Sequence, residues 1–177
     1  MMTAELSGGA GMPDGWQRLW APHRLEYLKG ENRPLEGNDV QCPFCRIPTL
    51  NDQEGLILHR GTNAYVVMNL YPYNPGHLLV CAYRHVSDLT ELTLDERHEI
   101  TDLTSHAMET IRKVSGANGF NLGMNQGAIS GAGVAAHIHQ HVVPRWSGDA
   151  NFMPIIGKTK VLPQLLTQTR DELAAAW

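Results

Sequence analysis

The stretch HIHQHVVP, residues 137–144, carries most of the information about both fold and function. Histidine at every second position is typical of a β-strand, in which successive side chains point to opposite faces. His137, His139 and His141 would then lie on one face, about 7 Å apart. A row of imidazoles is a poor way to build a hydrophobic core, and the internal position excludes an expression tag. We therefore predict a strand whose histidines have a functional role.

A glycine-rich loop, residues 125–133, comes just before this strand. After Gln126 it has no side chain larger than isoleucine, and small residues allow backbone N–H groups to approach an anion closely. Together, the loop and the strand predict a phosphate site. A neutral imidazole can attack phosphorus and form a covalent phosphoramidate, while N–H donors and a second imidazole stabilise the charge on the phosphoryl oxygens.

Outward from this region, short apolar runs bounded by turn residues predict strands, and helical spacing of apolar residues predicts helices. Thr93 and Glu96 form a capping-box pattern at the start of the long helix, and Gly116 fits its end. The predicted elements are strands at 55–60, 64–70, 77–83 and 119–125, a helix at 93–115, and a C-terminal helix from Val161. This order favours an α+β fold with one antiparallel sheet, one long helix and a C-terminal helix.

The remaining parts of the chain are at its N-terminus. Residues 1–15 are rich in small residues and are expected to be disordered, whereas 16–177 are expected to form a single domain. Within that domain, 16–28 is predicted to be a short arm and 29–41 a loop.

The composition excludes several classes of protein. The chain has 177 residues, of which 42% are hydrophobic and 18% charged, and it is therefore too apolar for a disordered protein. No apolar run approaches the roughly 20 residues of a membrane helix, and the first residues lack the pattern of a secretory signal. The net charge of −4 argues against a general nucleic-acid-binding surface. Three cysteines exclude a disulfide scaffold, and we expect a cytoplasmic protein.

A second candidate site is the pair Cys42-x-x-Cys45. The spacing is compatible with half of a zinc site, a redox pair or two buried thiols. A redox pair usually precedes a helix in a thioredoxin-like βαβ setting, which the predicted elements do not contain. A structural zinc site needs four ligands, for which a Cys₂His₂ set is sufficient.

The motifs together resemble the histidine triad (HIT) superfamily of nucleotidyl hydrolases and transferases, in particular bacterial members that act on diadenosine polyphosphates. The resemblance covers roughly residues 16–177. Besides the triad, it rests on NLYPYNPGHLLV at 69–80, HVVPRW at 141–146, LWAP at 19–22 and CPFC at 42–45.

The resemblance implies specific roles for the residues of the site. His139, the middle triad histidine, would be the nucleophile that takes up a nucleoside monophosphate, and Asn69 would contact the ribose. His77 would line the same site, and His141 with the 127–133 loop would hold the phosphate oxygens. The implied nucleotide- and phosphate-binding set is Asn69, His77, Asn125, Gly127, Ser130, Gly131, Gly133 and His141.

The resemblance also completes the metal site. Zinc-bearing relatives use a CxxC pair, a histidine at the position of His85 and the first triad histidine. This implies structural zinc held by Cys42, Cys45, His85 and His137.

The chain departs from the family pattern at two places. Gln140 occupies a position that is normally apolar, on the face opposite the triad. Where many family hydrolases have a glutamine near 131–133, this chain has only glycine and alanine. The small side chains leave room for an acceptor larger than water.

The function implied is therefore cleavage of diadenosine tetraphosphate, with inorganic phosphate favoured over water as the acceptor, in a homodimer or higher homo-oligomer. One alternative is a phosphoramidase acting on adenosine linked to an amine. The other is a zinc-stabilised nucleotide-binding protein whose turnover is incidental.

Overall fold

The structure is a computed structural model that describes residues 42–149 and 164–177. The predictions for 1–15, 16–28 and 29–41, and for the first residues of the C-terminal helix at 161–163, lie outside these ranges. The helices are α1 (Pro43–Arg46), α2 (Leu94–Ser115) and α3 (Leu166–Ala176), with short 3₁₀ turns at Ile47–Thr49, Leu89–Glu91 and Ala128–Ser130. The strands are β1 (Ile57–Arg60), β2 (Ala64–Met68), β3 (Leu78–Ala82), β4 (Gly119–Gly123) and β5 (His139–Arg145).

The strands form one antiparallel sheet in the order β1-β2-β3-β5-β4. This is the predicted α+β architecture. The pairing of β5 with β3 is the feature of the sheet that matters for function, because it brings the 77–83 segment alongside the histidine strand.

Both faces of the central strands are covered, which explains why their sequences are continuously apolar. On one face, Val66 and Val80 pack against α2 and α3. On the other face, Tyr65 and Leu79 pack against the segment that contains Cys42. The second face is where the candidate site lies.

Helix α2 has the predicted ends. The Thr93 hydroxyl accepts a hydrogen bond from the backbone N–H of Glu96, and the Glu96 carboxylate accepts one from the N–H of Thr93. Gly116 ends the helix with φ of 65°, a left-handed conformation that glycine adopts without the steric cost of a Cβ. Of the helices in the described part of the chain, none combines the length and apolarity needed to cross a bilayer.

Some predicted boundaries are wrong. The predicted strand at 119–125 ends at Gly123, and the C-terminal helix begins at Leu166. The predicted strand at 137–144 begins only at His139, because the N–H of Ile138 donates to the carbonyl of Val86, 2.7 Å away, and not to the neighbouring strand. His137 therefore precedes the strand that carries the other two histidines.

Candidate active site

The register of β5 against β3 sets the direction in which the histidines point. His139 lies opposite Cys81 and His141 opposite Leu79, on the face away from α2 and α3, while Gln140 lies opposite Val80 on the face that α2 and α3 cover. The ring centroids of His139 and His141 are 4.9 Å apart, closer than the expected spacing along the strand. Gln140 thus lies on the opposite face from the triad, as predicted, and its side-chain amide donates to the carbonyl of His141.

His139 is held in one tautomer. Its Nδ1 lies 2.8 Å from the carbonyl oxygen of His137, and because a carbonyl only accepts, Nδ1 must carry the proton. In the neutral ring the lone pair is then on Nε2. Burial lowers the pKa of His139, partly offset by this hydrogen bond, so the neutral form is favoured. A neutral ring with its lone pair on Nε2 is the form that can act as a nucleophile.

His141 is held in the opposite tautomer by a chain of hydrogen bonds. The backbone N–H of Tyr73 donates to Nδ1 of His77 at 3.0 Å, so the proton of His77 is on Nε2. That Nε2–H donates to Nδ1 of His141 at 3.0 Å, which leaves the His141 proton on Nε2. The ring of Tyr73 stacks on His141 with a centroid distance of 5.7 Å. Adjacent rings therefore present one acceptor and one donor.

Two of the predicted binding residues lie beside these rings. The side-chain oxygen of Asn69 accepts from the N–H of Tyr71, which turns its amide nitrogen towards Nδ1 of His77, 3.3 Å away. The amide nitrogen of Asn125 lies 3.5 Å from Nε2 of His141. The structure thus brings together Asn69, His77, Asn125, His139 and His141.

The glycine loop forms a tight turn near the strand. Gly127 and Gly131 both have positive φ, 78° and 82°, on either side of the 3₁₀ turn. The Ser130 hydroxyl donates to the carbonyl of Gly127, and Gly133 follows, half-buried. The contact of Ser130 is thus within the loop, so phosphate binding there remains a prediction that falls chiefly on backbone N–H groups.

The predicted zinc ligands meet at the other end of the histidine row. Nδ1 of His137 lies 3.4 Å from both the Cys42 and the Cys45 sulfur, and Nδ1 of His85 lies 3.2 Å from the Cys45 sulfur. One ligand atom from each of the four residues falls within 4.8 Å of every other. The two cysteines are brought together by α1, since residues three apart lie on one side of a helical turn.

These distances fit a tetrahedral metal ion. Zinc–sulfur bonds of about 2.3 Å and zinc–nitrogen bonds of about 2.0 Å give sulfur-to-nitrogen edges of about 3.5 Å. Nε2 of His137 lies 2.9 Å from the Ala82 carbonyl, so its proton is there and its Nδ1 lone pair faces the sulfurs. A hydrogen bond of this kind is the usual partner that orients a metal-binding histidine.

Sequence reasoning did not assign roles to Asn74 and Asp149. The Asn74 amide donates to the Pro144 carbonyl and to the Asp149 carboxylate, both at 2.9 Å. The same carboxylate accepts two hydrogen bonds from the Arg145 guanidinium, which hold the pKa of Asp149 well below its usual range. Because the Asn74 carbonyl accepts from the N–H of His77, this network fixes the turn that orients His77. The signals were the Asn-Pro-Gly turn and the i, i+4 Arg–Asp spacing.

Phe44, between the two cysteines, was also missed. Its ring centroid is 4.7 Å from that of His139 and 5.6 Å from that of His137. Cys81 is buried, as predicted, and burial raises the pKa of its thiol. Trp146 packs on the side of the sheet that α2 and α3 cover, and its indole N–H donates to the backbone carbonyl of Ser115.

Comparison with known proteins gives a consistent picture. The HIT domain model matches residues 52–148. AP-4-A phosphorylase of Mycobacterium tuberculosis is 49% identical over 172 residues, which cover 96% of this chain and 88% of the relative. The bis(5'-nucleosyl)-tetraphosphatase (asymmetrical) of Schizosaccharomyces pombe is 32% identical over 52% of this chain and 50% of the relative.

Among solved structures, a zinc-bound histidine triad family protein from Mycobacterium smegmatis superposes with a TM-score of 0.63. The match covers 78% of this chain and 94% of that protein, at 25% sequence identity. The similarity therefore extends from the sequence to most of the backbone.

Proposed function

The chain belongs to the HIT domain family, and from that premise we propose that it cleaves diadenosine tetraphosphate by phosphorolysis through a nucleotidyl-histidine. The observation that carries this proposal is the pair of opposite tautomers on neighbouring rings: Nε2 of His139 holds a lone pair and Nε2 of His141 holds a proton. One ring can attack phosphorus while the other donates to a phosphoryl oxygen.

The reaction proceeds in two displacements. Nε2 of His139 attacks the α-phosphorus, an N–P bond forms, and the P–O bond to the rest of the substrate breaks, releasing ATP. The His137 carbonyl, which accepts from Nδ1 of His139, stabilises the positive charge that develops on the ring. An oxygen of inorganic phosphate then attacks the same phosphorus, the N–P bond breaks, and ADP leaves.

The preference for phosphate over water is supported by the loop and by one relative. Residues 131–133 are Gly, Ala and Gly, which leaves space beside the strand. Gln126 has its side-chain oxygen on the N–H of Leu89, 2.7 Å away, so that oxygen is already engaged outside the triad. The relative at 49% identity is named a phosphorylase.

Product analysis tests the proposal. Purified protein is incubated with diadenosine tetraphosphate in buffer with and without inorganic phosphate, and the nucleotides are separated by chromatography. We expect ADP and ATP, with labelled phosphate entering the ADP, and an adduct of one AMP on His139 in samples quenched with alkaline denaturant, because the N–P bond is labile in acid. AMP and ATP formed independently of phosphate would identify a hydrolase. Faster cleavage of adenosine linked to lysine would identify a phosphoramidase, and no turnover would favour a nucleotide-binding role.

We also propose that the Cys42, Cys45, His85 and His137 cluster binds a structural zinc ion. The geometric fit and the zinc-bound relative support it. When bound, zinc would join α1 to the start of β5 and fix His137. Metal analysis of protein never exposed to chelator tests this, and we expect one equivalent. Less than about a tenth of an equivalent would reject a resident zinc.

A homodimer is the assembly that we propose. Strand β4 ends the sheet order, and Leu122 on it is 48% exposed. At the other end, the β1 edge is covered where Arg170 of α3 donates to the Ile57 carbonyl. Sedimentation should show a dimer that Leu122→Arg weakens, and a monomeric wild type would contradict this. No disulfide joins the three cysteines of the described residues, which favours a reducing compartment, and we propose the cytoplasm.

A further inference from the structure

Phe44 touches both the proposed nucleophile and the proposed metal site. It lies between Cys42 and Cys45 in α1, and its ring is tilted by 42° against His139 at a centroid distance of 4.7 Å. The same ring meets the edge of His137 at 5.6 Å. With 8% of its surface exposed, Phe44 is buried against these two rings of the triad.

The backbone of Phe44 has one anchor on the sheet. Its carbonyl accepts a hydrogen bond of 2.7 Å from the hydroxyl of Tyr65, a fully buried residue of β2. Further contacts of α1 come from the side chains of Cys42 and Cys45 on either side of Phe44. Those side chains pack in the apolar cluster with Tyr65 and Leu79, and their polar contacts are to His85 and His137.

Two of the contacts that orient His139 therefore come from a residue of the Cys/His cluster, His137, and from a residue between its two cysteines, Phe44. The carbonyl of His137 accepts the Nδ1 proton of His139, and the ring of Phe44 packs on its face. A metal ion that joins both cysteines to His137 would hold these two contacts in fixed relation. Without the ion, the cysteines lose that link, and local opening of α1 becomes easier.

We propose that Phe44 is a positioning residue through which the metal in the Cys/His cluster keeps the nucleophilic ring of His139 ordered and shielded from water. This rests on the proposed roles of His139 and of zinc. Phe44 would act through His139 and would take no part in the bond changes at phosphorus. Metal loss would then loosen the catalytic ring without removing any residue of the triad.

Site-resolved carbethoxylation of His139 tests the proposal without any substrate. The full chain, with zinc bound or removed by chelator under reducing conditions, is treated with diethyl pyrocarbonate at single-hit levels and one fixed pH. Modification is quantified by tandem mass spectrometry, with the exposed His98 as internal standard. We compare wild type, Phe44→Leu and the matched control Phe120→Leu, since Phe120 packs on the opposite face of the sheet.

We expect chelation to raise the rate at His139 by about tenfold in wild type and in Phe120→Leu. In Phe44→Leu the rate should already be raised with zinc bound, and chelation should change it less than about twofold. An equal response to chelation in Phe44→Leu, or no response in wild type, would overturn the proposal. So would failure of the chelated protein to take up added zinc.

If Phe44→Leu does not fold, Tyr65→Phe provides the second variant. Without the hydroxyl that holds the Phe44 carbonyl, the metal becomes the main anchor of α1, so chelation should raise carbethoxylation more than in wild type. A smaller or equal effect contradicts the proposal. Because the test uses no substrate, the coupling between the metal and His139 can be observed whichever nucleotide the protein cleaves. If the protein proves to be a phosphorylase but zinc removal does not change carbethoxylation of His139, only the coupling between the metal and His139 is refuted.

Discussion

His137 and His141 are the same residue type, four positions apart, and they differ in almost every contact. His137 is buried, with Nε2 on a backbone carbonyl and Nδ1 facing two sulfurs. His141 is half-buried, with Nδ1 accepting from His77 and with Nε2 lying 3.5 Å from the amide nitrogen of Asn125. The first arrangement offers a lone pair to a metal, and the second offers a proton to an anion.

The difference shows that a neighbouring hydrogen bond decides what an imidazole can do. A carbonyl at one nitrogen forces the proton there and leaves a lone pair at the other. A ring that already donates forces its neighbour to accept. His139, between the two ends, resembles His137 in this respect, since its Nδ1 proton is also on a carbonyl. Substitutions at the centre and at each end test this interpretation.

Replacement of the central ring should have the largest effect. His139→Asn removes the Nε2 lone pair, so we expect kcat for cleavage of diadenosine tetraphosphate to fall by at least about 10³-fold, with loss of the AMP adduct. Steady-state kinetics and mass spectrometry measure both. His98→Asn, on the exposed side of α2, is the control and should leave kcat unchanged. More than about a tenth of wild-type activity in His139→Asn would contradict the nucleophilic role.

The His141 end should be next in effect. His77→Leu removes the Nε2–H that fixes the tautomer of His141, so we expect kcat to fall by about 10²-fold with little change in KM. His77→Gln keeps an N–H donor of similar reach and should retain more activity. Equal kcat for the two variants would mean that packing of His77, and not its proton, matters.

The sequence predicted the scaffold of this site well, because its signals are local. Strands β2 and β3 are continuous apolar runs, and the ends of α2 are marked by Thr93, Glu96 and Gly116. The end of a hydrogen-bond ladder has no such signal. The alternating histidines begin at His137, but the N–H of Ile138 donates to the Val86 carbonyl and not to the neighbouring strand. The predicted strand therefore wrongly included His137.

The neighbours of the triad could not be predicted from spacing. Cys42 lies 95 residues before His137, and Asn74 lies 75 residues before Asp149. The spacing of Cys42 and Cys45 made them candidate ligands, but the two histidine ligands were anticipated only through the family resemblance. Phe44 gave no signal, since an aromatic residue between two cysteines fits a core position equally well.

The metal end should affect stability and metal binding. His85→Ala removes one proposed ligand, and we expect the stabilisation by zinc to fall by about 2–3 kcal/mol at free zinc 100-fold above Kd. Denaturant unfolding with and without zinc measures this. The response to chelator should disappear in His85→Ala and persist in His77→Leu. An unchanged zinc response in His85→Ala would remove His85 from the ligand set.

The smallest expected effect concerns the network behind His77. Asp149 has a lowered pKa in the folded protein because of its hydrogen bonds with Arg145, so its ionised form stabilises the fold above the unfolded pKa of about 4 and that contribution is lost as the pH falls. Asp149→Asn should therefore lower the free energy of unfolding by about 1 kcal/mol at pH 7. The difference from wild type should shrink on acidification, and kcat should fall a few-fold because the turn that orients His77 loosens. The exposed Asp102→Asn on α2 is the matched control. A difference that stays constant with pH would mean that the Asp149 charge does not contribute, and an unchanged kcat would mean that the turn before His77 is held by the Pro144 carbonyl alone.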